Sequence, residues 1–429
     1  MKRYLITVLA IVSLVAVVAV ACAPTAAPSP EAKEKEVKVG IQVALTGPLS
    51  STTSVIGLGA LDYLKYVNDA LGGIEYQDPA TGEINKIKMH LIWGDNSVNV
   101  PKGISIYKRQ KAAGMKLLIL SACAPIPSSV SALCSRDQIA VAAVGAGSAG
   151  PVSFAPEPLY YTASGSNTAE TDAAILDWFA DQWTEARPPR VGCFTVDNPS
   201  QRMKEIPEGL PAYAKKLGFE WLGHEWIPIT ATDTSVEWVR MMAKEPDLLI
   251  FSHVTAGYKV MLEDALRLGF IGKATIAGPF WCWDPTLPTL VSSEAVEGIV
   301  FNQRYAFPDE DVPGVALARN IAQSYGHNES YSSLYIGGVC DTMKVIEALK
   351  NALEEVGYQN LDGTVVNDAL HHLTNFDPQG LSPPITVDPN YPCLTYHLRM
   401  GVVEGGKLRA ISDWAECPKI RAFMPERYQ

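Results

Sequence analysis

From Val37 onward the sequence repeats one pattern: a short apolar run, an amphipathic stretch at helical spacing, then another apolar run. Residues 37–45 (VKVGIQVAL) pass from alternating to wholly apolar, as a strand does, and Thr46-Gly47-Pro48 closes them. Ile56, Ala60, Leu64, Val67 and Leu71 then share a helical face that ends at Gly72-Gly73. Strand signals follow at 87–93, 116–120 and 139–144, with helical stretches at 101–114 and 128–136 between them. This βαβαβα order predicts a parallel, doubly wound sheet with helices on both faces.

The pattern then restarts. Helices are expected at 169–184, 206–217 and 258–268, and strands at 190–196, 247–252 and 274–277. Residues 298–303 run extended, two further helices cover 335–356 and 364–373, and 394–403 reads as an edge hairpin strand. Two successive α/β units and a returning C-terminal block predict two doubly wound lobes joined by more than one crossing. In such sheets the ligand crevice lies at the strand carboxyl ends.

The N-terminus sets the compartment. Lys2 and Arg3 precede an apolar run over 4–21, and small residues lead into Cys22. A basic segment, an apolar segment and small residues are the parts of an export signal. Residues 23–36 (APTAAPSPEAKEKE) cannot bury a face and read as a flexible tether. An uncleaved membrane anchor is the alternative, since the apolar run is just long enough to span. No later segment has that length without charge. The net charge, 35 − 46 = −11, disfavours a general nucleic-acid binder, which needs a basic surface.

Several stretches resemble a known family. Residues 39–49 are similar to the opening strand and loop of type I periplasmic binding proteins, nearest the leucine/isoleucine/valine-binding subgroup of ABC importers. Val67-Asn68-Asp69 with Gly72-Gly73-Ile74, Gly94-Asp95-Asn96, Ala265-Leu266-Arg267-Leu268-Gly269-Phe270 and Cys340-Asp341-Thr342 with Glu347-Ala348-Leu349 look like further family segments, in the family's order. Ala19-Val20-Ala21-Cys22 resembles a lipobox, with Ala19 where Leu is usual. The resemblance implies residues 1–21 as lipoprotein signal peptide, acylation of Cys22, and 22–36 as tether. It implies lobe 1 from 37–163 plus 302–375, lobe 2 from 164–301 plus 376–429, and three crossings near Thr162, Phe301 and Ser382. It further implies a monomer that captures a small molecule between its lobes and passes it to ABC permease subunits. The protein would be exported and held at the membrane by its N-terminal lipid.

By the same resemblance lobe 1 grips a ligand carboxylate through Ser128, Ser129, Ala146, Gly147 and Ser148. Ser128 and Ser129 sit where a helix is expected to start, so hydroxyls and free N–H groups face outward from a positive helix end, although Ser128 also fits a plain N-cap. In lobe 2 the family's amino-acid binders place an acid after a Gly-Pro turn, to pair with the ligand ammonium. Here Gly278-Pro279 is followed by Phe280, Trp281, Cys282, Trp283 and Asp284. A buried ammonium without a carboxylate is costly. Phe280, Trp281 and Trp283, with Tyr258, therefore suggest an apolar or aromatic carboxylate or amide, and His253 and Thr255 offer further contacts. Branched-chain amino acids with Asp284 as ammonium partner are the alternative, and a ligand-sensing receptor module is the alternative of another class.

With Cys22 acylated, seven cysteines remain. Cys123 and Cys134 bracket the carboxylate loop, and Cys393 and Cys417 flank the tail hairpin, so both pairs are disulfide candidates. No CxxC, HExxH, GxSxG or phosphate loop is present. The sequence therefore points to no enzyme, no metal and no cofactor.

Overall fold

The computed structural model describes residues 35–47, 49–121, 125–145, 159–197, 201–283 and 287–423. Two sheets organise the folded body. The first runs in the order β2-β3-β1-β4-β5-β6, built from β1 (Glu36–Val43), β2 (Ile74–Gln77), β3 (Ile84–Asp95), β4 (Leu117–Ser121), β5 (Ala140–Ala143) and β6 (Tyr161–Thr162). β1, β4, β5 and β6 pair in parallel, and β2 is antiparallel to β3. Helices α1 (Ser50–Asp69), α2 (Val100–Ala112) and α3 (Pro125–Asp137) connect these strands.

The second sheet has eight strands. β7 (Arg190–Asp197), β8 (Glu220–Pro228), β9 (Leu248–Ser252), β10 (Thr275–Gly278) and β11 (Val300–Gln303) are parallel. β12 (His397–Glu404) joins β11 antiparallel, and β13 (Lys407–Ala410) and β14 (Ala415–Glu416) both pair with β12. Helices α4 (Thr168–Gln182), α5 (Gln201–Lys216), α6 (Ser235–Met242) and α7 (Thr255–Arg267) belong to this half.

Strand periodicity explains the continuous apolar runs. In β4, Leu117 and Ile119 enter one core cluster while Leu118 and Leu120 enter the cluster on the other face. In β9, Leu248 and Ile250 face one cluster and Leu249 and Phe251 the other. Because side chains alternate between faces, a strand covered on both sides must be apolar throughout.

After β11 the chain returns to the first sheet as α8 (Pro313–Ser324), α9 (Ser333–Val356) and α10 (Gly363–His371). Val315, Ile321, Val339, Leu349 and Val366 from these helices are buried in the same cluster as β1. Three chain segments thus pass between the sheets, and they hydrogen-bond to one another. Ala163 N–H donates to Pro392 O (2.9 Å), Leu394 N–H to Ala163 O (2.8 Å) and Ala306 N–H to Leu381 O (2.8 Å).

Three sequence expectations need correction. The return expected near Ser382 comes later, because Ile385, Val387, Tyr391 and Cys393 are still buried with the first sheet's clusters. The strand expected over 394–403 is not an edge: β12 lies between β11 and β13. The helix expected from Ser128 begins at Pro125. Strands β2 and β8 and helices α6 and α8 were not anticipated. β8 carries only two buried residues in nine, so it lacks the apolar run of a central strand.

Candidate ligand-binding site

The strand carboxyl ends of the first sheet are pinned by two acids, one partly and one fully buried. At the end of β3, Asp95 Oδ1 accepts from Leu45 N–H (3.1 Å) and Ser97 N–H (3.0 Å), and Oδ2 from the Thr46 hydroxyl (2.6 Å). Burial alone would raise the Asp95 carboxyl, but hydrogen bonds from Thr46 and Ser97, with Lys102 nearby, hold it at about 2. This fixes the loop after β1. Gly47 there has φ 99°, and a Cβ would lie 2.6 Å from Ser97 O, so only glycine fits.

A second acid, Asp341 of α9, is fully buried where the crossings meet. Its Oδ2 accepts from the Gly145 N–H (2.9 Å) and from the hydroxyls of Ser164 (2.6 Å) and Tyr305 (2.8 Å). Its Oδ1 lies 3.4 Å from both Lys344 Nζ and Thr395 Oγ1. Lys344, also fully buried, donates to Leu394 O (2.8 Å) and Thr395 Oγ1 (2.9 Å). Gly145 has φ 70°, and a Cβ would sit 2.0 Å from an Ile56 methyl, so the chain turns tightly here after β5.

The structure separates the expected contact residues. Ser128 is exposed and Ser129 half-buried, both within the first turns of α3 rather than at its cap. The first three helical residues are Pro125, Ile126 and Pro127, and proline has no N–H, so Ile126 alone supplies a backbone donor there. Ala146, Gly147, Ser148, Asp284, Cys123 and Cys22 lie outside the described residues. His253 does not face a ligand: its ring is buried, with Nδ1 accepting from Val254 N–H (2.9 Å) and Nε2 against Ile227 O (3.1 Å). Burial pushes its pKa down, which keeps the imidazole neutral. Thr255 is buried as the first residue of α7, and Tyr258 turns into the core, its hydroxyl on Phe251 O (2.8 Å).

Phe280 is also buried. It packs edge-on against Trp281 and Tyr305, and the guanidinium of Arg304 lies 4.8 Å from its ring centroid. Arg304 Nη2 donates to Ser166 O (2.7 Å) and Thr171 Oγ1 (3.1 Å). Two arginines are buried among the described residues: Arg399 pairs with Glu310, whereas Arg304 meets no carboxylate there. Trp281 and Trp283 are half-buried. Trp283 lines a groove of about 350 Å³ with Pro288, Pro308, Tyr331, Ser333 and Leu408, from both halves of the molecule.

Both disulfide candidates fail for one reason: a partner in each is a buried, unpaired thiol. Cys134 sits in the first half's core, and burial pushes its pKa up. Cys417 is free in the second half's core, and Cys393 lies in a different cluster. Among the described residues no group of three or more metal-ligating side chains converges, and no helix is long and apolar enough to cross a membrane.

Asp341, Lys344 and Arg304 were not recognised as structural centres from the sequence. A signal existed for two of them. Asp341 and Lys344 are charges three residues apart within the apolar face of a long helix, which is the pattern of a buried pair.

Two α/β halves linked by three mutually bonded segments define a type I bilobal binding protein. The family model for periplasmic binding proteins matches residues 36–406, so the chain belongs to that family. Its members are extracytoplasmic, non-enzymatic solute-binding components of ABC transporters, and they work with membrane permeases. Three solved structures share the fold. A branched-chain amino acid ABC transporter protein from Thermus thermophilus, with bound valine, is 18% identical with a TM-score of 0.75, over 92% of this chain and 98% of that one. A fatty acid ABC transporter substrate-binding protein from Thermomonospora curvata is 16% identical with a TM-score of 0.73, over 92% and 94%. A solute-binding protein from Rhodopseudomonas palustris BisB5, in complex with 3,4-dihydroxybenzoic acid, is 18% identical with a TM-score of 0.71, over 90% and 99%. No curated protein sequence matches.

Proposed function

We propose that this protein captures a small carboxylate or amide with an apolar or aromatic body between its lobes and delivers it to an ABC importer. The observation that carries this reading is Phe280 beneath Arg304. Where amino-acid binders are expected to place an acid, this chain has an aromatic ring with a guanidinium 4.8 Å away. A ligand ammonium brought toward that cation would be repelled, and no carboxylate stands at Arg304 among the described residues to offset it. A neutral or anionic ligand meets no such penalty. Trp281 and Trp283 supply apolar faces, and burying a ring of roughly 150 Å² contributes a gross ~4 kcal/mol before ordering costs.

Ser128, Ser129 and the segment after Gly145 (Ala146, Gly147, Ser148) remain the lobe 1 contacts in this reading. The protein is a lipoprotein held at the membrane through Cys22. Titration calorimetry with benzoate, 4-hydroxybenzoate, a phenylpropenoate, leucine, valine and phenylalanine tests the ligand class. The acids are expected to bind more tightly. Micromolar binding of branched-chain amino acids without binding of the acids overturns it and makes Asp284 the ammonium partner. Metabolic labelling with a fatty acid should mark the wild type and not Cys22→Ser; equal labelling removes the anchor.

A further inference from the structure

We propose that the solute carries a second oxyanion and that Arg304 is the specificity-determining residue that receives it. The inference rests on the class of solute proposed above and narrows it to a dianion, of which an aromatic dicarboxylate is the simplest form. Three lysines and arginines are buried among the described residues. Arg399 pairs with Glu310 and lies over the rings of Phe307 and Trp414, and Lys344 pairs with Asp341. Arg304 forms no ion pair there. Its Nη2 donates to two neutral oxygens, Ser166 O and Thr171 Oγ1, and the N–H groups on Nε and Nη1 meet no acceptor among the described residues. Glu170, next in sequence to Thr171, does not compensate it: that carboxylate accepts from Asn167 N–H (3.1 Å) and from the Tyr391 hydroxyl (2.6 Å). A buried guanidinium without a counter-charge is strongly unfavourable, so the pattern points to an anion that arrives with the ligand.

The topology puts this cation where a ligand reaches it. Arg304 follows β11 and Phe280 follows β10, at the carboxyl ends of adjacent parallel strands, where the crevice of such a sheet lies. Phe280 N–H donates to Asn302 Oδ1 (3.2 Å) and Asn302 Nδ2 donates to Thr171 O (2.9 Å), so one side chain ties both strand ends to α4. The guanidinium is held before any ligand binds. The Phe280 ring centroid lies 4.8 Å away, and Gly165 passes so close that a Cβ there would fall 2.7 Å from the guanidinium carbon. An oxyanion entering this place meets a desolvated, preoriented donor and gains a charge-assisted hydrogen bond without reorganising its partner. Where an acid would accept a ligand ammonium, this chain holds the opposite charge.

The test is titration calorimetry with terephthalate and isophthalate, each against its own monoamide. The amide keeps the ring, the size and the first carboxylate and removes only the second charge. In the wild type at least one dicarboxylate should bind roughly tenfold or more tightly than its monoamide, as expected for a hydrogen bond between charged groups. Arg304→Met should abolish that ratio and leave affinity for the monoamide near its wild-type value. Arg304→Lys should keep part of the ratio, because the charge stays while the planar donor is lost. Ratios within one variant are insensitive to a general loss of folded protein, and the wild-type pair is decisive even where Arg304→Met does not fold. A dicarboxylate bound no better than its monoamide, or a preference that survives in Arg304→Met, overturns the inference, and benzoate binding in the same titrations leaves the broader reading standing. Binding of leucine or valine with none of the acids overturns both.

Discussion

Asp341 at the crossings and Asp172 in the floor of the second lobe are both fully buried carboxyls, and their surroundings treat them in opposite ways. Asp341 has a lysine beside it and accepts from four other groups. Asp172, on α4, faces Cys193 and Ser252 of the sheet, and among the described residues neither a cation nor a backbone N–H bonds its oxygens. Burial pushes the Asp172 carboxyl up to about 8, with the Ser252 hydroxyl only partly opposing it. A buried acid that is fully bonded can organise a structure around its charge; one that is not protonates instead. The contrast places conformational specificity at the joints between lobes and leaves an electrostatic liability inside one of them.

The largest effect is expected from breaking the joint. Asp341→Asn leaves Lys344 as an uncompensated buried charge and should cost about 3–5 kcal/mol in urea unfolding, while Asp341→Leu combined with Lys344→Met should recover most of it. A loss below about 1 kcal/mol in Asp341→Asn would dissolve the contrast. Asp172→Asn should act in the other direction. A carboxyl raised from 3.8 to about 8 contributes stability that is fully present below pH 3.8 and is lost as pH rises through about 8. The neutral isostere removes that loss. At pH 8 about four units of pKa difference at about 1.4 kcal/mol each, less about 1–3 kcal/mol for burying an unbonded amide, should leave a gain of roughly 3 kcal/mol, and at pH 4 no gain is expected. Thermal melts from pH 4 to 9 would show the two curves converging at the acid end; parallel curves would refute the assignment.

A smaller effect belongs to the partly exposed acid of the first half. Asp95→Asn should cost about 1 kcal/mol, because water screens its Lys102 pair and the hydrogen bonds to the loop are only partly lost. The wild-type Asp95 contribution, from a carboxyl lowered to about 2, is present above pH 3.8 and disappears only as pH falls through 2. A melt of Asp95→Asn that matches wild type at pH 7 would show that the loop does not depend on this residue. The smallest effect concerns the thiols. Cys134 and Cys417 should both be alkylated by iodoacetamide in denaturant without reductant, as mass spectrometry would detect, and reductant should leave the melting temperature unchanged. Protection of either thiol would restore a disulfide to the carboxylate loop or the tail.

The elements easiest to read were those whose pattern is strictly local. The run at β4 and the stripe Ile56, Ala60, Leu64, Val67 each carry their own periodicity, and both were placed within a few residues. β8 was missed because an edge strand with solvent on much of its surface loses the apolar run. α8 was missed because its buried positions, Gly314, Val315, Ala318, Ile321 and Ala322, are mostly small. The start of α3 was displaced because Pro125 and Pro127 look like breakers, whereas the first helical turn tolerates proline. At the site, Phe280, Trp281 and Trp283 were singled out from their place after Gly278-Pro279, but not the cation over Phe280. His253 and Tyr258 looked available because a sequence shows that a polar atom exists and not where it points.

What the sequence determined by itself was the α/β alternation, its restart into a second unit and the absence of an acid after Gly278-Pro279, since each is written in adjacent residues. What the tertiary structure alone decided was which distant groups share a site. Ser164, Tyr305, Asp341 and Thr395 are separated by as many as 231 positions, and Arg304 reaches Phe280 only because β11 and β10 are neighbours in one sheet. Local periodicity follows from the geometry of a single helix or strand. The meeting of buried charges depends on how whole lobes pack, and no short stretch of chain encodes it.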